Sequence, residues 1–203
     1  MYAGQIAEII GRKAGIDAQG ELLVETDLPL GKGMGSSTAL VIATAKALLG
    51  SDCRNIALET EDEVNPGHSG MDFAVIWEGK PIRYEKGKSP TPVVLPKDLQ
   101  SRITLIDTGV PNEQTPTLVA WVKSREAELK AQLEVIGTAA DRILSGDDLH
   151  TVIREHHEAQ VALGVVPSHT RTVIEEIESR SGAAKVIGAG GRSGGGGMVL
   201  RIL

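Results

Sequence analysis

Three groups of residues in this chain have the types and spacing to do chemistry. The first is the loop Gly31-Lys32-Gly33-Met34-Gly35-Ser36-Ser37-Thr38, set between a strand-like stretch and a long apolar run. Its glycines permit tight turns and close backbone approach to a ligand. Its hydroxyls stand where a helix begins and the first N–H groups have no partner, a geometry that binds phosphate. It fits neither common nucleotide signature: Ser36, not lysine, follows Gly35, and the glycine spacing is G-x-G-x-G. Taken by itself the segment also reads as a plain strand-to-helix turn with Ser36 as N-cap.

The second group is Glu61 and Asp72, which flank the turn-forming Asn65-Pro66-Gly67-His68-Ser69-Gly70. One carboxylate near a phosphate can hold Mg²⁺, and a second can accept the proton of an attacking hydroxyl. Phosphoryl transfer needs little beyond that, alignment and charge stabilisation. Spacing alone favours solvated acids, the reading given to Glu59, Asp62 and Glu63. The third group is Gly188-Ala189-Gly190-Gly191-Arg192-Ser193-Gly194-Gly195-Gly196-Gly197, seven glycines in ten positions between two strand-like runs. A flexible linker seldom joins two strands of one hairpin-like unit, so close approach to a ligand or another loop is the preferred reading. His156 and His157 have no further ligand at metal spacing and read as packing or solvated side chains.

The elements that must position these groups follow from periodicity and punctuation. Ile6, Ile9 and Ile10 mark one face of an N-terminal helix that Gly15 ends. Leu22-Leu23-Val24-Glu25-Thr26 reads as a strand delivering the chain to the first glycine loop. Residues 36–49, with Lys46 the only charge, read as a helix buried on most sides. Residues 56–64 form a shorter acidic helix. Ala74-Val75-Ile76-Trp77, Glu78-Gly79-Lys80 and Pro81-Ile82-Arg83-Tyr84 have the form of a hairpin. Gly87, Pro90, Pro92 and Pro96 suggest a boundary, giving domains over 1–98 and 99–203. Beyond it come a strand at 103–107, a helical region over 116–144 with a break expected at Gly137, and a helix over 149–163 capped by Asp147 or Asp148. Ser168 is expected to cap the next helix, before strands at 184–187 and 198–203. This is an α+β order.

Composition narrows the class. The 203 residues are 41% hydrophobic but only 2% aromatic, so the core must come from Ala, Val, Ile and Leu. A net charge of −6 disfavours nucleic-acid binding. No run of about 18 apolar residues and no signal-like N-terminus is present, and Cys53 is the sole cysteine. The expectation is a cytoplasmic protein without nucleic-acid or membrane partners.

Together these residues resemble the GHMP kinases, the superfamily of galactokinase, homoserine kinase, mevalonate kinase and phosphomevalonate kinase. Pro29-Leu30-Gly31-Lys32-Gly33-Met34-Gly35-Ser36-Ser37-Thr38-Ala39 is similar to the motif P-x-G-x-G-L-G-S-S-A-A, and Ala184-Lys185-Val186-Ile187-Gly188-Ala189-Gly190-Gly191 to K-x-T-G-A-G-G. Ser69-Gly70-Met71-Asp72-Phe73-Ala74-Val75, Ile106-Asp107-Thr108-Gly109-Val110-Pro111 with Thr115, and Ala162-Leu163-Gly164-Val165 resemble the mevalonate kinase group in particular. The resemblance implies a partial N-terminal lobe of ribosomal-protein-domain-like α+β type and a ferredoxin-like C-terminal lobe. It implies ATP and Mg²⁺ as cofactors and an alcohol as acceptor, with mevalonate foremost. Asp72 would be the catalytic base or would orient the substrate hydroxyl. Ser37 and Glu61 would hold the metal. Gly31, Lys32, Gly33, Met34, Gly35, Ser36 and Ser37 would cradle phosphates, and Gly188, Ala189, Gly190 and Gly191 would support that loop and close one side of the substrate pocket.

The sequence departs from the family pattern as well. The family's P-G-K/R segment has no counterpart after Met1, and the family's final helix and strand have none before Leu203. Arg192-Ser193 looks like an insertion, His68 replaces a proline and Phe73 an asparagine. A truncated or split kinase is therefore expected, with a homodimer or a complementing N-terminal segment as partner. The alternatives are a non-catalytic nucleotide-binding module and a GHMP kinase for another alcohol such as a sugar, homoserine or threonine. The last is suggested by Gly31-Lys32-Gly33-Met34, which resembles the threonine kinase of propanediol utilisation.

Overall fold

The structure, a computed structural model, describes residues 2–17 and 19–203. The chain divides into two compact units, Met1–Leu28 with Gly35–Leu95, and Pro29–Met34 with Pro96–Leu203. The first unit contains helices α1 (Tyr2–Ala14), α2 (Ser36–Leu49), α3 (Arg54–Val64) and α4 (Met71–Glu78). They are followed by a two-stranded antiparallel ribbon, β1 (Ile82–Arg83) and β2 (Thr91–Pro92). Ile6 and Ile10 of α1, Val41, Ile42 and Ala45 of α2, Cys53, Ala57 of α3 and Phe73 of α4 form its core. Aliphatic spacing of three and four places these residues on facing helix stripes. Ala43, Lys46 and Ala47 leave one side of α2 in solvent, so that helix is half-buried rather than enclosed.

The second unit contains α5 (Leu99–Arg102), β3 (Ile103–Asp107), α6 (Thr115–Lys123), α7 (Lys130–Leu144), α8 (Leu149–Leu163), α9 (Ser168–Ser179), β4 (Ala183–Val186) and β5 (Met198–Ile202). Its sheet is antiparallel in the order β3-β5-β4, with Ile103 opposite Ile202 and Ala183 opposite Ile202. Alternation along the strands sends Ile103, Ala183, Leu200 and Ile202 to a cluster with Ile143, Leu149 and Ile153. It sends Ile106, Ala184, Val186 and Val199 to one with Ile174 and Ile177 of α9. This sheet brings the end of β3 and the β4–β5 connection to one place. Among the described residues, no helix is long and apolar enough to cross a membrane.

Several local expectations are corrected. Residues 22–26 form no strand: Leu23 is 78% exposed, and no neighbouring strand pairs with the segment among the described residues. A strand needs a ladder partner, which propensity cannot supply. The apolar run at 74–77 is helix, not half of a hairpin; Gly70 caps α4 in the left-handed region, and Phe73 stacks on Trp77 one turn later with centroids 5.8 Å apart. Only 82–83 of the expected second strand is extended, and it pairs with β2. The break after α6 falls at 124–129, where Ser124 Oγ bonds the Trp121 carbonyl, while Gly137 lies within continuous α7. Asp148 caps α8 by accepting from Thr151 N at 2.8 Å. Pro167, not Ser168, occupies the N-cap of α9.

Candidate active site

The first glycine loop is divided between the units. Its first half, Pro29–Met34, belongs to the second unit, and Gly35 onward belongs to the first. Gly31, Gly33 and Gly35 all have φ between 66° and 78°, the left-handed region that a Cβ disfavours. Gly35 is the N-cap of α2 and offers no side chain, so the N–H groups of the helix's first turn are free of a side-chain cap. Ser36 is therefore the first helical residue and not the cap. An uncapped N-terminus of a 14-residue helix, with Ser36 and Ser37 in its first turn, is an anion-binding geometry.

Around that helix start the first unit gathers both predicted carboxylates. Asp72 lies in the first turn of α4, and a Cβ on Gly35 would stand 3.5 Å from its Cγ, so the loop passes directly against the carboxylate. Asp72 presents an edge to solvent, yet the surrounding protein withholds enough water to raise its pKa, opposed by His68. His68 itself bonds Asp62 at 2.7 Å. Glu61, on the inner side of α3, is 1% exposed. Its Oε1 accepts from Thr38 Oγ1 at 2.7 Å and Asn65 Nδ2 at 3.0 Å, while its Oε2 is buried without a hydrogen-bond partner among the described residues. Ser37 Oγ lies 3.1 Å from Asn65 Nδ2 and 2.6 Å from the Tyr2 hydroxyl. A buried carboxylate oxygen with no donor suits a hard cation, which takes oxygen ligands and completes its shell with water or phosphate. Among the described residues no group of three His, Cys, Asp or Glu could hold a metal.

In the second unit the two glycine loops touch. A Cβ on Gly33 would lie 3.0 Å from the Ile187 carbonyl, and one on Gly188 would lie 3.1 Å from Gly33 Cα. Met198 N donates to the Lys32 carbonyl at 3.1 Å, and the Lys32 ammonium pairs with Asp107, which lowers that carboxyl's pKa. Lys32 thus ties the loop to the end of β3. The β4–β5 connection is held by its own contacts: Thr108 Oγ1 donates to the Gly197 carbonyl at 2.8 Å, Gly195 N to Val110 O, and Gly191 N to Val165 O. Arg192 N and the Ser193 hydroxyl both bond Glu113, and the Arg192 guanidinium lies 4.4 Å over the Trp121 ring. His156 and His157 are pushed down to about 4 by burial and pack neutral in α8.

Residues 1–80 match the family model "GHMP kinases N terminal domain". Mevalonate kinase of Pyrococcus furiosus is 31% identical to the chain, over 83% of this chain and 56% of that protein. The human mevalonate kinase is 28% identical, over 89% of this chain and 54% of its own length. The first 80 residues are thus similar to the N-terminal domain of the GHMP kinases, and most of the chain is similar to mevalonate kinases. The Methanococcus jannaschii mevalonate kinase structure shares the GHMP kinase fold at a TM-score of 0.75 and 18% identity, covering all of this chain and 67% of that one. The chain spans about half the length of the curated relatives it matches. The sequence singled out Glu61, Asp72 and Ser37; the structure sets Thr38, Asn65 and Tyr2 in hydrogen-bond contact with Glu61 or Ser37. Asn65 had a legible signal, since it follows Glu61 by four positions at a helix end.

Proposed function

We propose that the chain is the nucleotide-binding and catalytic part of a mevalonate-kinase-like phosphotransferase that moves the γ-phosphoryl group of ATP to an alcohol, with mevalonate the first acceptor to test. Residues 1–98 would be its N-terminal, phosphate-binding domain and residues 99–203 its C-terminal domain. One observation carries the reading: the first unit sets the uncapped start of α2, the buried Glu61 with its orphan oxygen, and Asp72 around a single glycine turn. The α2 amides and Ser36 bind and orient phosphate oxygens. Lys32 and Gly188 to Gly191, with Ala189, hold the loop's first half in place. Asp72 accepts the acceptor alcohol's proton at its carboxylate, and its raised pKa makes it a better base than an ordinary aspartate. Mg²⁺ at Ser37 and Glu61 would supply charge neutralisation for the transferred phosphoryl group.

The test couples ADP release to mevalonate addition, with Asp72→Asn as control. Turnover that depends on mevalonate and falls by about 10² or more in the variant is expected from the loss of a positioned base. Turnover equal to that of the variant would reject the kinase reading for this acceptor. If ATP with Mg²⁺ still raises the melting temperature in that case, the chain is a nucleotide-binding module instead.

A further inference from the structure

We propose that Thr38 and Asn65 are positioning residues that set the Ser37–Glu61 pair for a divalent cation; this rests on the metal reading above. The two residues converge on one carboxylate oxygen. Thr38 Oγ1 and Asn65 Nδ2 both donate to Glu61 Oε1, which fixes the rotation of the carboxyl group and leaves Oε2 as its unused acceptor. Burial makes that arrangement consequential, because a carboxylate oxygen withheld from water and given no donor is unsatisfied until a cation or donor reaches it. Glu61 has no ion-pair partner among the described residues.

Asn65 does a second thing. It is the C-cap of α3, its own N–H bonding the Glu61 carbonyl at 2.8 Å, so its side chain is anchored one helical turn beyond Glu61. From there one amide nitrogen serves both prospective ligands, with its two hydrogens on Glu61 Oε1 and Ser37 Oγ. A serine hydroxyl has one proton and two lone pairs. Asn65 Nδ2 takes one lone pair, and the Tyr2 hydroxyl stands 2.6 Å from the same oxygen. Ser37 Oγ, held between Asn65 and Tyr2, and the free Oε2 of Glu61 are then the two oxygens offered to a cation. Thr38 stands where the family motif quoted above carries alanine, so its contact belongs to this chain's own residues.

Direct titration with Mn²⁺, followed by loss of the free-ion paramagnetic signal, tests this without turnover. The wild-type chain should take up Mn²⁺, and Glu61→Gln should abolish uptake. Asn65→Ala and Thr38→Val should each weaken binding by about tenfold, the low end for partners that orient a metal ligand, while Thr38→Ser keeps the hydroxyl and stays near wild type. Melting curves without metal identify variants that merely lose their fold, and the near-isosteric Thr38 pair decides the matter if Asn65→Ala is one of them. Wild-type affinity in both Thr38→Val and Asn65→Ala would overturn the proposal, as would a wild-type chain that takes up no Mn²⁺. An ATP-induced melting shift, read separately, distinguishes failure of the nucleotide reading from failure of this one.

Discussion

At the scale of single residues, the site is built from groups that cost stability. Folding raises the pKa of Asp72, so the folded chain holds that proton more tightly than the unfolded chain, whose aspartates ionise near pH ~3.9. In the window between the unfolded and folded pKa values stability falls as pH rises, and above the folded value the whole cost is present. Asp72→Asn should therefore raise the melting temperature at pH 7, and the gain should vanish as pH drops below the ordinary carboxylate range. Melting curves of both proteins at pH 7 and pH 3 check this. An equal gain at both pH values would show that ionisation of Asp72 is not the cause. The same residue was legible in sequence as an acid beside a turn, but its partial desolvation was not, because that depends on what α4 and the loop bring near it. Glu61 was legible in the same limited way. Its partner Thr38 left no mark on spacing, because the two residues are 23 positions apart, whereas Asn65, four positions on, was within reach of the helical repeat.

At the scale of elements, the outcome separates segments that carry their own instructions from segments that wait for a partner. Helices α2 and α8 and strands β3 and β5 were legible because their periodicity is long or their ends are punctuated, as Asp148 punctuates α8. Short apolar runs failed: 74–77 became helix because Phe73 and Trp77 stack one turn apart, and 22–26 has no strand beside it. Glycines show the same division. Gly137 lies exposed in α7 with nothing within 4 Å of a Cβ, so Gly137→Ala should stabilise the chain by about 0.5–1 kcal/mol through lower unfolded-state entropy. Gly195 sits in the β4–β5 connection, where a Cβ would fall on the backbone of Thr108 and Gly109. Gly195→Ala should destabilise it by several times that amount, about 2 kcal/mol or more, because backbone cannot step aside as a flexible side chain can. Urea unfolding of the two variants measures both effects. A harmless Gly195→Ala would mean that the connection does not lie against residues 108–109 as described.

At the scale of the whole molecule, a chain with few aromatics builds its interior from aliphatic residues in separate clusters. The cluster of Ile6, Ile10, Val41 and Phe73 lies within the first unit, and those around Ile174, Leu163 and Ile202 lie within the second. Each unit also carries one tryptophan: Trp77 packs against the first cluster, under Lys46 at 4.6 Å, and Trp121 packs against Leu118 and Leu163, under Arg125 and Arg192. Trp121→Phe and Trp77→Phe thus give two proteins whose fluorescence reports one unit at a time. Ile10 is fully buried in the first core, and truncating it to alanine removes its contacts and leaves a cavity, at a cost of about 2–5 kcal/mol. With cores this separate, that cost should be confined to the first unit. Adding Ile10→Ala to the Trp121→Phe protein should lower the urea midpoint seen by Trp77, whereas adding it to the Trp77→Phe protein should leave the midpoint seen by Trp121 in place. If both midpoints fall together, the chain unfolds as one cooperative block and its clusters do not act as independent cores. The same pair of reporters locates ligand stabilisation. ATP with Mg²⁺ should raise the Trp77 midpoint, because the α2 N-terminus, Glu61 and Asp72 all belong to the first unit.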